Sequence, residues 1–307
     1  MKRREFVGAL GATLAATLSS QILAAAPGKL HIVTLSFDDG FKKSFLRTAQ
    51  IYEKFGLSAC FNIVAGAHLP GVTVIDDYMP REQFGDFGVW NELQDRGHEV
   101  MIHGYQHAHL ARLPLEKAKE LVLKSLDVFS KELRGFDPKK AVFNFPYNES
   151  TPELEEWLPS VVMAFRARGG TLNPIPGPDT RKVTTGGWGP GNAEKHVDET
   201  VEKLLAQPEG WMVYNLHGMD EEGWGPIRPA YLEKLLGRLR AIESVRIIPT
   251  GRALVQAKAG SFANREEAEG RRSAQQRPPA TVFTPEKRLN VQVTVDWSSR
   301  TTRTPNG

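Results

Sequence analysis

Short runs of β-branched and aromatic residues alternate along the chain with stretches in which apolar residues recur at helical spacing. The first β-rich run covers residues 30–37, and apolar side chains then follow the period of a helix from Phe41 to Phe55. Further strand-like runs lie at 58–64, 98–102, 141–145, 161–166, 211–216 and 245–249, with a short candidate strand at 182–185 inside a Gly/Pro-rich loop.

About seven strands that alternate with helices predict an α/β fold with a parallel sheet and right-handed crossovers. Over roughly 230 residues we expect a distorted β/α barrel, closed or nearly closed, in a single domain. In such barrels the functional side chains lie at the carboxyl ends of the strands. Four groups of chemically capable residues follow strand-like runs in this sequence: Asp38 with Asp39, His103 with His107, Tyr147, and His217.

The two ends of the chain differ in composition from the part between them. A basic segment at 2–4 precedes an apolar stretch at 7–18 and small residues at 24–26, which is the pattern of a signal peptide. Paired arginines followed by an aromatic residue favour the twin-arginine route, with a general secretory signal or an uncleaved anchor as alternatives. We predict a signal peptide at 1–26, a catalytic domain at 28–258, and a disordered tail, poor in apolar residues, at 259–307.

Composition restricts the classes of partner. A net charge of +3 is too small to indicate binding to nucleic acid. After the signal no segment reaches the ~18 apolar residues that span a bilayer. Cys60 is the only cysteine, so no internal disulfide can form. We therefore expect a soluble protein that is exported to the periplasm or the extracellular space, and the sequence predicts no particular oligomeric state.

Asp38, Asp39 and Gly40 follow the first strand directly. Neighbouring side chains in a regular strand face opposite ways, but at a strand end Gly40 permits a sharp turn that lets both carboxylates converge. One carboxylate can then bind a metal ion while the other stays free as a general base. The alternative interpretation is a helix N-cap with a solvated charge, because a helix follows immediately.

His103 and His107 are four residues apart after the third strand. This spacing brings two imidazoles to one ion, across a helical turn or between a strand end and a loop. With the two aspartates they match a catalytic zinc site, which needs three protein ligands, an open position and a base. We expect His109 to be a loop residue near this site, and His98 to be structural.

Two further strand ends carry candidate catalytic groups. A proline-fixed turn before Tyr147 can direct the backbone N–H of this residue into a pocket as an oxyanion donor. His217 follows the penultimate strand, where an imidazole that titrates near neutral pH can protonate a leaving amine. Each also has a structural interpretation: Tyr147 as the aromatic residue of a turn, and His217 as a packed histidine.

Four motifs resemble, in chain order, those of the polysaccharide deacetylase family, the NodB-homology domain of carbohydrate esterases: Ser36-Phe37-Asp38-Asp39-Gly40, Gly97-His98-Glu99-Val100 leading to His103-x-x-x-His107, Phe145-Pro146-Tyr147, and Leu216-His217. The resemblance implies a metal-dependent hydrolase, most readily a zinc enzyme, that removes N-acetyl or O-acetyl groups from an acetylated carbohydrate. It implies Asp39, His103 and His107 as metal ligands, Asp38 as base, Tyr147 as oxyanion donor and His217 as acid.

The chain departs from the family pattern in two places. The arginine expected two residues before the proline of the third motif is Asn144, and Arg166-Ala167-Arg168 stands where an acidic-and-tryptophan motif is expected. We hypothesise that one of these two arginines replaces the lost charge beside Asp38. The departures leave open a hydrolase of small amides or cyclic imides, or a non-catalytic carbohydrate-binding relative. Trp188 and Trp224 lie in glycine-rich loops, where they can stack on sugar rings or pack within the loops.

Overall fold

A ring of parallel strands forms the centre of the structure, a computed structural model that describes residues 29–74 and 80–262. The strands in these residues are β1 (His31–Phe37), β2 (Cys60–Ile63), β3 (Glu99–Ile102), β4 (Val142–Asn144), β5 (Ala164–Arg168), β6 (Leu172–Asn173), β7 (Lys182–Thr185), β8 (Gly210–Leu216) and β9 (Val245–Ile247). The α-helices are α1 (Lys42–Glu53), α2 (Phe87–Asp95), α3 (Leu115–Glu132), α4 (Pro152–Trp157), α5 (Ala193–Leu205), α6 (Pro229–Arg240) and α7 (Thr250–Lys258).

Seven parallel strands follow one another around the barrel in the order β8-β1-β2-β3-β4-β5-β7. The ring closes where β7 returns to β8. There Gly186 forms a parallel bridge with Tyr214, the Asn215 N–H donates to the Gly186 carbonyl at 3.0 Å, and the Thr185 hydroxyl donates to the Val213 carbonyl at 3.0 Å. The predicted α/β barrel of about seven parallel strands is therefore confirmed.

Two short strands account for the distortion of the barrel. One edge of β1 is divided, since β9 pairs with residues 31–33 of it and β2 pairs with residues 36–37. The antiparallel β6 pairs with residues 211–212 of β8, ahead of the point where β7 reaches the same strand. One edge of β1 and one edge of β8 thus change partner along their length. The offset between neighbouring strands is therefore not the same all around the barrel.

The helices pack around the ring through their apolar faces. In α3 the side chains of Ala118, Leu121, Val122 and Phe129 are buried, which is the stripe that the helical spacing predicts. Between barrel and helices, Phe45 of α1 stacks on Phe61 of β2 with ring centroids 4.6 Å apart. This packing fixes the connections that leave the carboxyl ends of the strands.

The predicted signal peptide and most of the predicted tail lie outside the described residues. Phe262, near the end of the described chain, packs against the smaller of two core clusters. Among residues 29–74 and 80–262, no helix combines the length and the apolar character needed to cross a membrane.

Candidate metal centre and its cavity

The carboxyl ends of the strands surround a cavity of about 900 Å³. All six residues singled out from the sequence line it: Asp38, Asp39, His103, His107, Tyr147 and His217. Asp38 and Asp39 follow β1, His103 and His107 follow β3, Tyr147 follows β4 and His217 follows β8. Parallel strands bring these residues together because their carboxyl ends meet at one mouth of the barrel.

The backbone after β1 turns sharply between the two aspartates. The Asp38 N–H still continues the ladder with β8, donating to the Leu216 carbonyl at 2.9 Å. Asp39 then has a φ of 83° and Gly40 a φ of 103°. This left-handed conformation is uncommon for a non-glycine residue. It lets both carboxylates face one cavity, with Asp38 1% and Asp39 4% exposed.

Asp39, His103 and His107 have the composition and the spacing to hold a metal ion. Asp39 Oδ1 lies 3.4 Å from the Nε2 atoms of both histidines. Two atoms bound tetrahedrally to zinc at about 2.0–2.1 Å are about 3.3 Å apart. Asp39 Oδ1 is buried and makes no hydrogen bond within the described residues. An ion would therefore give this oxygen the partner that the protein side chains do not supply.

The Nε2 atom of each histidine of the cluster faces Asp39, and the Nδ1 atom holds the ring in place. His103 Nδ1 lies 3.1 Å from the Asn144 carbonyl, and His107 Nδ1 lies 3.0 Å from the Tyr147 hydroxyl oxygen. When both Nδ1 atoms carry the proton and donate these bonds, both Nε2 lone pairs face Asp39. His107 has a φ of 56°, so a second strained backbone position orients a member of the cluster.

The charge states of the cluster suit a metal ligand set. Burial opposes ionisation of Asp39, but the imidazoles of His103, His217 and His107 hold the pKa of this carboxyl well below its usual value. Burial lowers the pKa of His107 to about 4. Metal ligands must be deprotonated. A carboxylate and a neutral imidazole are therefore the forms present near neutral pH.

Arg166 of β5 pairs with Asp38 through two parallel hydrogen bonds. Its Nη1 donates to Asp38 Oδ1 at 2.9 Å, and its Nη2 donates to Oδ2. Arg166 is fully buried and lies directly opposite Asn144 in the register between β4 and β5. The hypothesis of a replacement arginine is confirmed for Arg166. The other arginine, Arg168, is 70% exposed and contacts Glu149 instead.

Two asparagines that the sequence did not single out as functional complete the surroundings of Asp38. Asn62 Nδ2 donates to Oδ1 and Asn215 Nδ2 donates to Oδ2, both at 2.7 Å. Asn144 Nδ2 in turn donates to Asn62 Oδ1 at 2.8 Å. Burial by itself raises the pKa of Asp38, but Arg166 and His103 outweigh it and the pKa is lowered. Asp38 is thus ionised and held in one orientation.

Tyr147 and His217 both line the cavity. Tyr147 has a φ of 57° within the short 3₁₀ turn Pro146–Asn148, and its ring stacks on His109 at 3.5 Å between centroids. His217 Nδ1 is buried and has no hydrogen-bond partner within the described residues. The Trp224 ring lies edge-on to the His217 ring at 5.8 Å. The positions suit the predicted roles, which stay predictions.

Of the other residues named from the sequence, some line the cavity and others lie away from it. Trp224 lines the cavity, but Trp188 is stacked on His196 at 3.8 Å between centroids and is not part of the lining. His109 lies near the site as expected and lines the cavity. His98 is buried away from it and accepts a hydrogen bond from the Ala59 N–H at 3.0 Å, which agrees with a structural role. Cys60 is buried and unoxidised.

Comparison with known families agrees with the motifs. Residues 26–160 match the family model described as polysaccharide deacetylase. This segment contains β1 to β4 together with five of the six singled-out residues, all except His217. This match agrees with the family that the four motifs resemble. No curated protein sequence matches the chain.

One solved structure supports the fold, and two others align with lower scores. A protein from Mycobacterium smegmatis classed as a polysaccharide deacetylase aligns with a TM-score of 0.53 at 13% identity, over 85% of this chain and 96% of the other. The peptidoglycan deacetylase PdaC from Bacillus subtilis aligns with a TM-score of 0.47 at 15% identity, over 81% and 98%. A family 4 acetyl xylan esterase from Clostridium thermocellum, in complex with cobalt, aligns at 0.48 and 18% identity, over 73% and 90%.

Proposed function

We propose that this protein is a metal-dependent hydrolase that removes N-acetyl or O-acetyl groups from a carbohydrate. The observation that carries the proposal is the buried cluster of Asp39, His103 and His107 beside the ionised Asp38, at the mouth of a barrel whose sequence matches polysaccharide deacetylases. A divalent ion fits the ligand set, and zinc is the ion that we propose because it favours one carboxylate with two imidazoles and an open position.

A bound divalent ion supplies a positive charge that polarises an acyl carbonyl and makes a water molecule more acidic. Asp38, which lines the same cavity, accepts the proton of the attacking water. Four N–H groups hold this carboxylate ionised and in one orientation, so it is in its proton-accepting form near neutral pH.

Two further groups complete the proposed reaction. The Tyr147 backbone N–H stabilises the negative charge that develops on the acyl oxygen, which for one well-placed donor is worth about 3 kcal/mol. His217 gives a proton to the leaving nitrogen or oxygen of the sugar. Its Nδ1 has no carboxylate partner among the described residues, so the position of this imidazole depends on packing against Trp224.

The two alternatives from the sequence lose their main support. A hydrolase of small amides or imides was left open because the motif arginine is missing, but Arg166 supplies a guanidinium to Asp38 from the neighbouring strand. A binding protein without activity has no need of a buried cluster of ligands together with a paired base, and both are present. We also propose export from the cytoplasm, on the basis of the N-terminal sequence alone.

The proposed function is tested by measuring metal content and acetate release together. The purified full chain is analysed for bound metals, then assayed on chitooligosaccharides, acetylxylan and a small cyclic imide, before and after treatment with a chelator. We expect about one divalent ion per chain, chelator-sensitive acetate release from an acetylated glycan, and no turnover of the imide. Acetate release that is unaffected by full removal of the metal would contradict the proposal.

A further inference from the structure

Two exposed arginines lie at the rim of the catalytic cavity, outside the machinery assigned above. Arg112 ends the 3₁₀ turn that follows the His103–His107 segment, and Arg168 is the last residue of β5. Both line the cavity, with side chains 64% and 70% exposed. Each reaches Glu149 Oε1 through one Nη2 atom at 3.4 Å.

The position of Arg168 follows from the alternation of side chains along β5. Residues two apart in a strand share a face. Arg166 points into the barrel and binds Asp38, so Arg168 lies on the same side one layer nearer to solvent. Its Nη2 also lies 3.3 Å from the Tyr147 carbonyl. The rim guanidinium is thus adjacent to the residue proposed to bind the acyl oxygen.

Around Glu149 two guanidinium groups meet a single carboxylate, and another acidic residue of the cavity lining, Glu221, forms no ion pair with either arginine within the described residues. Hydrogen bonding from His109 and the charges of Arg112 and Arg168 hold the pKa of Glu149 below its usual value, so this carboxylate is ionised. One negative charge therefore faces two guanidinium groups, through contacts that are long for charged hydrogen bonds. A guanidinium has five N–H donors in a planar fork that matches a carboxylate. Most of the donors on both arginines remain available to a ligand in the cavity.

We propose that Arg112 and Arg168 recognise a carboxylate on the substrate, so that the preferred substrate is an acetylated acidic sugar rather than a neutral one. This inference rests on the proposed function and specifies its substrate class. Because Arg168 contacts the backbone of Tyr147, the carboxylate belongs to the same sugar ring as the acetyl group or to the ring next to it.

Binding of two probes that differ only in charge tests the proposal. N-acetylmuramic acid carries a carboxylate and an acetamide on one ring, and its methyl ester is the neutral counterpart. The full chain with Asp38→Asn is titrated with both by calorimetry, so that turnover does not interfere. We expect the acid to bind about tenfold more tightly than the ester, and this preference to weaken as salt is raised. Arg112→Gln and Arg168→Gln should each reduce the preference roughly threefold.

Arg47→Gln is the matched control, since Arg47 is an exposed arginine on α1, contacts Gln50, and is not part of the cavity lining. Equal affinity for the acid and the ester, including no binding of either, overturns the proposal. A preference for the acid that persists when Arg112→Gln and Arg168→Gln are combined also overturns it. Turnover separates this failure from that of the proposed function. Suppose that the wild-type protein and the variant lacking both arginines deacetylate chitooligosaccharides at the same rate, and that the acid binds no more tightly than its ester. Only the inference about acidic sugars then fails.

Discussion

At the scale of single residues, the structure shows why the two adjacent aspartates differ in chemistry. Asp39 Oδ1 faces two imidazole nitrogens and makes no hydrogen bond within the described residues. Asp38 instead accepts two N–H groups on each oxygen. An oxygen with free lone pairs suits a cation, and a carboxylate fixed by N–H donors suits a positioned base.

Asp38→Asn should reduce acetate release by at least about 100-fold, because an amide cannot accept the proton of the attacking water. The three residues of the metal cluster are untouched, so the metal content should stay at the wild-type level. Acetate release and elemental analysis on the same preparation check both halves of the prediction. Asp95→Asn, at an exposed position of α2, is the control. Unchanged turnover in Asp38→Asn would refute the role of this residue as base.

Arg166→Asn should abolish activity, and adding Asn144→Arg should restore part of it. The single change leaves a buried carboxylate without its charge partner, which costs about 3–5 kcal/mol of stability. The second change supplies a guanidinium from the directly opposite position of β4. Turnover and urea unfolding of both variants are measured together. If the double variant is as unstable and inactive as the single one, the two positions are not equivalent around Asp38.

Tyr147→Phe should weaken metal binding about tenfold, because it removes the oxygen that lies 3.0 Å from His107 Nδ1. The affinity is measured by competition with a chromogenic chelator, which does not depend on activity. Tyr105→Phe serves as the control, since Tyr105 is only partly buried and is not part of the cavity lining. An unchanged affinity would show that the phenol does not hold His107.

The sequence pointed to residues that line the cavity more readily than to the residues that hold them in place. Asp38, Asp39, His103 and His107 carry chemistry in their spacing, and all four line one cavity. Asn62 lies in the middle of β2 and reads as an ordinary strand residue. Its contact with Asp38 depends on which strands are neighbours in the barrel, which no local pattern contains.

At the scale of elements, the end of α1 is tied to the segment between α2 and β3. Glu53, the last residue of α1, accepts hydrogen bonds from Arg96 at 2.8 and 3.0 Å. His98 Nε2 lies 3.0 Å from the same carboxylate. Since His98 Nδ1 accepts from the Ala59 N–H, its Nε2 carries the proton. Hydrogen bonding from Arg96 lowers the pKa of Glu53.

The contribution of this ion pair to stability should depend on pH. The pKa of Glu53 is lowered from the usual 4.5 in the folded protein, so its stabilisation is fully present above about pH 4.5 and is lost as the pH falls through the folded-state pKa. Glu53→Gln should cost about 0.5 kcal/mol at pH 7 and less at pH 3, because the pair is partly exposed. Urea unfolding at both pH values measures this loss in the free energy of unfolding, with Glu116→Gln as an exposed control. A cost that grows on acidification would contradict the prediction.

Elements with a clear period were predicted, and those defined by pairing were not. Helix α1 and six of the seven strands of the ring carry apolar patterns long enough to identify, and β7 is predicted only as a short candidate strand at 182–185. β6 has only two residues and is a strand solely because it pairs with β8. The division of one edge of β1 between β9 and β2 likewise depends on where distant segments meet, which periodicity cannot specify.

At the scale of the whole molecule, closure of the barrel and orientation of Asp38 share one residue, Asn215. Gly187 lies just past the point where β7 meets β8, and a Cβ there would be 2.6 Å from the Asn215 carbonyl oxygen. Asn215 also donates to Asp38. The strand pair that closes the ring therefore sets the position of one N–H donor to Asp38.

Gly187→Ala should lower the free energy of unfolding by about 1–3 kcal/mol, because the added methyl group must push β7 away from β8. It should also reduce turnover, since Asn215 moves with its backbone. Gly177→Ala is the matched control, in the loop that precedes β7, where a Cβ would meet nothing within 4 Å. Thermal unfolding and acetate release are compared for the two variants. Equal stability of both would mean that the contact can be relieved locally.

Asn144 of β4 and Arg166 of β5 are partners in the strand register, which matters for how related sequences are classified as active or inactive. A survey that scores each motif separately would count one missing arginine against this chain. In a barrel, adjacent strands offer interchangeable places from which a long side chain can reach the same point. Surveys for degenerate enzymes should therefore inspect the facing position on the next strand before an absence is counted as a loss.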